Sequence, residues 1–210
     1  MVSRSVNTIQ IFVQLNTHKH NLESTLNLYM LLLGGKPKGR HTEQHDIFFA
    51  IGDSLKSLVP DINLFWPEAK GELHIDAWRE VKQVGAYSIE VIPRTTMTQD
   101  GDASHLFFVN LGGYQEGLFD EPHFKVLTVQ QDMAAAIKEA KKTSFYRETQ
   151  FPGANSHIDD KYGLDVDDIY DVAEILPLYQ REKYALKITE SNSLIQDEYH
   201  LGYFKLNKLP

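Results

Sequence analysis

Residues 33–46 read "LGGKPKGRHTEQHD", and residues 111–124 read "LGGYQEGLFDEPHF". A shift of 78 puts Leu33 on Leu111, Gly34 and Gly35 on Gly112 and Gly113, and Gly39 on Gly117. The same shift puts Glu43 on Glu121 and His45 on His123, which makes six identities in the 22 ungapped positions of 30–51 against 108–129. Self-similarity at a fixed spacing is the mark of a duplicated structural unit. Farther on, "HID" at His74, Ile75 and Asp76 recurs at His157, Ile158 and Asp159, offset by 83, with five residues inserted within 145–155.

Both halves carry the same order of elements. An apolar run ending in Gly-Gly (28–35, 106–113) predicts a buried strand, stopped where glycine permits positive φ. A loop and a second strand follow, at 46–51 and 124–129. In the first half Leu55, Leu58, Val59, Ile62, Phe65 and Trp66 recur at helical spacing, with Asp53 or Ser54 as N-cap and Pro60 kinking or dividing the helix. In the second, "DMAAAIKEAKKTSFY" predicts a helix capped by Asp132. The "HID" strand comes next, and then, in the first half, "YSIEVI" at 87–92. Past 178, "YALKITE" and "EYHLGYFKL" alternate like paired strands. The expectation is an α+β fold of two tandem ββαβ-type repeats related by a pseudo-two-fold, with an added C-terminal β-hairpin. Its segments are an N-terminal extension (1–27), repeat 1 (28–92), a polar linker (93–104), repeat 2 (105–177) and C-terminal strands (178–210).

Composition bounds the function. The 210 residues contain no cysteine, so disulfides and thiolate metal sites are excluded. No apolar run approaches the roughly 20 residues needed to span a bilayer, and the only apolar N-terminal patch, "IQIFVQL", lacks a signal-peptide cleavage site. A soluble bacterial cytoplasmic protein is expected. Residues 1–99 hold ten Lys/Arg and ten Asp/Glu, whereas 100–210 hold eleven against nineteen, which accounts for the net charge of −8. Phosphate backbones require clustered cations, so no nucleic-acid partner is expected, and no membrane partner either.

The repeated blocks resemble the family called domain of unknown function 1543, which occurs in one or two copies per chain. The likeness is carried by "LLLGGKPKGRHTEQHDIFFAIGDSL" with "HIDAWREV", and by "FFVNLGGYQEG" with "SHIDDKYGLDVDDIYDV", across residues 28–177. The first 27 residues lie outside it. The resemblance implies two tandem copies of the family's architecture and no particular activity.

His45, His74, Asp76, His123, His157 and Asp159 are the candidate catalytic residues, because imidazole with carboxylate suits acid–base work near neutrality. The plainer expectation is that these side chains cap or hydrogen-bond strand ends. Lys36, Lys38, Arg40 and His41 decorate the first Gly-rich loop and are candidates for holding an anion. The second loop carries Glu116, Asp120 and Glu121 instead, so the two loops have diverged in sign. No HExxH, P-loop, EF-hand, GxSxG or SxxK pattern occurs, and neither metal nor cofactor is expected. The acid-rich stretch 159–174 is expected to be a solvated edge or a loop into a short helix.

Three functional classes follow. The first is a non-enzymatic module that binds a small molecule or a protein in the cleft between halves. The second is a hydrolase or isomerase using a His/Asp pair, with or without a metal. The third is a subunit of a homodimer joined through its oppositely charged loops.

Overall fold

The computed structural model describes residues 25–97, 104–113, 117, 119–142, 166–193 and 195–209. The N-terminal extension up to residue 24, residues 98–103 of the expected linker, and His157 and Asp159 lie outside the described residues. The fold is mixed α+β, with three small antiparallel sheets and few helices.

In the first sheet β1 (Asn27–Gly35) lies between β2 (Gln44–Gly52) and β3 (Leu73–Glu80), and β10 (His200–Lys205) adds to the outer edge of β3. In the third sheet β6 (His105–Gly112) lies between β7 (His123–Gln130) and β8 (Val166–Asp171). The small middle sheet runs β4 (Gln83–Val84), β5 (Tyr87–Pro93), β9 (Tyr184–Glu190). Each of the two larger sheets thus has a central strand paired with the strand that follows it and with one that arrives after a helix. In both, the second pairing shifts register, at Leu32/Leu33 on β1 and at Asn110/Leu111 on β6. The 78-residue shift superimposes those two positions.

The C-terminal hairpin expected over 184–206 does not form. β9 pairs with β5 through Ile89↔Ile188 and Val91↔Leu186, whereas β10 pairs with β3. The connection between them is pinned in place: Ser191 N–H donates to Ala86 O (2.7 Å), and the Asp197 carboxylate accepts from Lys82 and Gln83 N–H. β5 and β3 each had an unpaired edge, and one C-terminal strand satisfies each.

The helices follow local chemistry. A 3-10 turn (Lys56–Leu58) runs directly into α1 (Val59–Phe65), and Pro60 occupies the first turn of α1, where no amide hydrogen is required. Ser54 Oγ accepts from Ser57 N–H at 3.3 Å and closes the turn. Asp132 caps α2 (Met133–Ala140) by accepting from Ala135 N–H at 2.7 Å. Two short helices, α3 (Val172–Ile175) and α4 (Leu178–Lys183), follow β8.

Strand alternation sorts side chains into three cores. Leu31, Leu33, Phe48 and Ile75 face α1 and the C-terminal Leu209, while Val109, Leu111 and Val166 face α2. The opposite faces of the two sheets share the third core, where Leu28, Phe49 and Ile51 meet Leu106, Phe108 and Val129. Phe49 and Phe108 touch edge to face at 5.5 Å between ring centroids. Toward the Gly-Gly ends of β1 and β6, this shared face changes from apolar to polar. Gly34 and His45 continue the row of one sheet, and Asn110, Gly112 and His123 that of the other.

Candidate functional site

In the first sheet Gly34 is opposite His45 on β2 and His74 on β3. Residues directly opposite one another share a face, so both imidazoles flank a position that has no side chain. A Cβ built on Gly34 would lie 2.4 Å from His74 Nε2 and 2.5 Å from Asp76 Oδ2. The glycine is therefore required for clearance, and two functional groups occupy the space it leaves. The register shift lets Asp76 join them, since it pairs with no β1 residue of its own.

Glu43, just before β2, completes the group. His74 Nε2 is 3.1 Å from Glu43 Oε1 and 3.1 Å from Asp76 Oδ1. His45 Nε2 is 3.1 Å from Asp76 Oδ2 and 3.9 Å from Glu43 Oε2. His74 is only 4% exposed, and Tyr203 of β10 lies against its ring at 4.1 Å between centroids. Despite the short separations, His74 Nε2 and Asp76 Oδ2 make no hydrogen bond. Two imidazoles and two carboxylates thus form a chain of close pairs, with His74 Nε2 between Glu43 and Asp76 and His45 Nε2 on the other oxygen of Asp76.

The third sheet holds a related arrangement. A Cβ on Gly112 would come 2.3 Å from Asp167 Oδ2, and His123 Nε2 lies 2.9 Å from that oxygen. Glu121, His123 and Asp167 each place one donor atom within 4.8 Å of the others. Burial pushes the Asp167 carboxyl above its usual range; the His123 ring opposes that shift, and Glu121 and Asp168 add to it. Leu111 is opposite Val166 as Leu33 is opposite Ile75, so Asp167 follows its strand partner just as Asp76 does.

Both groups open onto one cleft of about 800 Å³ between the sheets. Glu43 and His45 line one side and Glu121 and His123 the other, with Phe65, Phe108, Asn110 and Tyr170 between them. The cleft is acidic: Asp46, Asp120 and Asp168 also line it, and Lys125 is the one cation in the lining. Burial raises the Asp46 carboxyl, and nearby Asp168 adds to the effect. Asp168 is also the main cause of the raised Tyr170 hydroxyl, and burial lowers the Lys125 ammonium.

Of the residues singled out in the sequence, His45, His74 and Asp76 are thus brought together, and His123 stands in the corresponding position of the other sheet. Lys36, Lys38, Arg40 and His41 are exposed on the β1–β2 loop, and none of them lines the cleft. Glu43, Glu121 and Asp167 were not among the candidates. The two glutamates carry a signal, a repeated Glu-x-His two residues ahead of each histidine. Asp167 sits in the acid-rich stretch expected to be merely solvated. Its counterpart Asp76 is 91 residues upstream, so neither the 78- nor the 83-residue offset points to it.

Comparisons with known proteins bear on the fold. Residues 40–91 match the family described as Domain of Unknown Function (DUF1543), in one copy. That segment contains Glu43, His45, His74 and Asp76. The chain is similar to a solved structure, the protein Il1583 from Idiomarina loihiensis, with a TM-score of 0.54 and 20% identity. The match covers 86% of this chain and 98% of that one. No curated protein matches the chain. Among the described residues no helix is long and apolar enough to cross a membrane.

Proposed function

We propose that the protein binds a small molecule in the cleft between two tandem ββαβ-type units, each contributing one Glu-x-His and one aspartate. The observation that carries this is the placement of His45 and His123, 78 residues apart in sequence, on opposite sides of one 800 Å³ cleft. The matching strand orders and register shifts of the two larger sheets support a duplication. The volume suits a small-molecule ligand, and pockets form preferentially at interfaces of this kind. With carboxylates outnumbering cations in the lining, the ligand is polar and neutral or positively charged, such as an amine or a polyol. Phe65, Phe108 and Tyr170 supply apolar surface against its body.

A second reading, acid–base chemistry of a hydrolase or isomerase, is favoured by one feature. His123 and Asp167 lie within hydrogen-bond reach at 2.9 Å, the separation a base and its orienting carboxylate need.

Thermal-shift screening against amines, polyols, sugars and nucleotides tests the binding site, since a ligand selective for the native state raises the melting temperature. An amine or polyol response lost in both His123→Ala and Asn110→Ala is expected. Responses confined to polyanions, abolished by Lys38→Ala and indifferent to the cleft variants, would move the site to the β1–β2 loop.

A further inference from the structure

We infer that a second pocket, between α1 and α4, binds an amphipathic organic cation, an ammonium group carried on a hydrocarbon chain. The pocket measures about 480 Å³ and is lined by both helices, by Phe48 of β2 and by Ile175 and Pro177. Phe65 and Ile175 also line the cleft, so the two spaces share a wall. The site is separate from the cleft and does not depend on what the cleft binds.

Two features carry the inference. The first is an apolar surface left open. Leu64 and Leu178 are 78% and 67% exposed, and Phe65 and Tyr179 are exposed beside them. Single exposed leucines are ordinary, but large apolar side chains gathered around one concavity mark a contact site. Phe48 is buried and holds the Phe65 ring at 4.9 Å between centroids, so this wall is set by the core.

The second is a carboxylate without a counter-charge. Asp61 is 8% exposed, and aspartate is seldom buried unless paired. Its Oδ2 accepts from Tyr179 O–H at 2.6 Å and from Gln180 Nε2 at 3.2 Å, both neutral donors. Gln180 is itself tied to Ile51 by two hydrogen bonds, which fixes the group in place. Glu182 is the other acid in the lining. Among the described residues no Lys, Arg or His forms an ion pair with Asp61 or Glu182. Lys183 lies over the Tyr179 ring, 5.7 Å from its centroid, and is not part of the lining.

These features select the ligand. A buried charge is stabilised by pairing, and an ammonium group would supply the missing partner. An anionic head would meet two carboxylates, and a neutral one would leave Asp61 without its counter-charge. The volume suits a small molecule, whose chain would cover the exposed leucines.

Isothermal titration of the full-length protein with octylammonium chloride, octanol and sodium octanoate tests the site, because the three share a chain and differ in head charge. One octylammonium per chain is expected. Octanol should bind about tenfold or more weakly, the measure of one charge-assisted hydrogen bond, and octanoate weaker still. Leu178→Gln should weaken octylammonium and octanol alike. Asp61→Asn and Glu182→Gln should each weaken octylammonium and leave octanol unchanged. Glu182 is exposed, so Glu182→Gln keeps the test valid if Asp61→Asn fails to fold. No octylammonium binding by natively folded protein, or octanoate bound as tightly, would overturn the site. So would binding that survives Leu178→Gln and Glu182→Gln but is lost in His123→Ala, which would place the cation in the cleft. A dimer in scattering that Leu178→Gln dissolves, with no octylammonium bound, would assign the apolar surface to a second copy of the chain instead.

Discussion

His45 and His74 belong to different strands and stand opposite the same residue, Gly34, one on each side of it. Their imidazoles can approach one pair of carboxylates only because that residue has no side chain. Gly34→Ala would press a methyl group on His74 Nε2 and Asp76 Oδ2. It should lower stability by about 1–3 kcal/mol, the usual cost of overpacking, and diminish the amine or polyol response of the cleft. Gly35→Ala is the control: its Cβ meets the Leu73 side-chain tip at 2.8 Å, away from the imidazoles, so the ligand response should hold. Thermal melts of both variants, with and without the amine or polyol that stabilises the native protein, decide it.

Gln180 should be the costliest polar residue to lose outside the site. It is 1% exposed, and its amide completes β2 as another strand would. Ile51 N–H donates to Gln180 Oε1 at 2.7 Å, and Gln180 Nε2 donates to Ile51 O at 2.9 Å. It also donates to Asp61 Oδ2 at 3.2 Å. Gln180→Ala leaves buried backbone groups unpaired and opens a cavity, which should cost about 2–4 kcal/mol in denaturant melts. Gln180→Glu should be no milder, because it sets a second carboxylate beside Asp61 and removes the donor.

The shared core predicts coupling between the two larger sheets. Phe49→Ala or Phe108→Ala removes the edge-to-face contact and should each cost about 3–5 kcal/mol. Because the rings touch, the double variant should cost less than the sum. Additive losses, or separate unfolding of two parts in calorimetry, would contradict a common core.

Tyr29 gives the protein an alkaline limit. Its hydroxyl donates to Glu80 Oε1 at 3.1 Å, and burial, then that carboxylate, push its pKa up to about 12. An unfolded tyrosine ionises near 10, so the folded state holds the proton longer. The stabilisation is complete below pH 10 and is lost as pH rises through 12. At pH 11 the loss should be about 1 kcal/mol. Tyr29→Phe should flatten that part of the melting-temperature profile between pH 9 and 11.

Much of the fold was legible because local patterns govern it. The apolar runs before Gly-Gly became β1 and β6 and Asp132 capped α2, whereas the helix divides at Leu58/Val59, with Pro60 inside the first turn of α1. The C-terminal strands were visible as strands, but their partners were not. Alternation in β9 and β10 specifies which face is buried; it says nothing of which edge lies open, and β5 and β3 each offered one. The site was half legible. His45, His74, Asp76 and His123 recur as identities or short motifs, whereas Asp167 depends on a register shift that appears only once β8 is paired with β6. The role of Gly34 was hidden for the same reason. A glycine at a strand end suggests a turn, and only the neighbouring strands reveal that two imidazoles and a carboxylate need its space.

The most direct measurement is a crystal structure of the protein soaked in the amine or polyol that gives the largest thermal shift. The account predicts ligand density in the cleft between His45 and His123, with Phe65, Phe108 and Tyr170 against its apolar body. A map without ligand density there, or with density only on the exposed His41 loop, would contradict it.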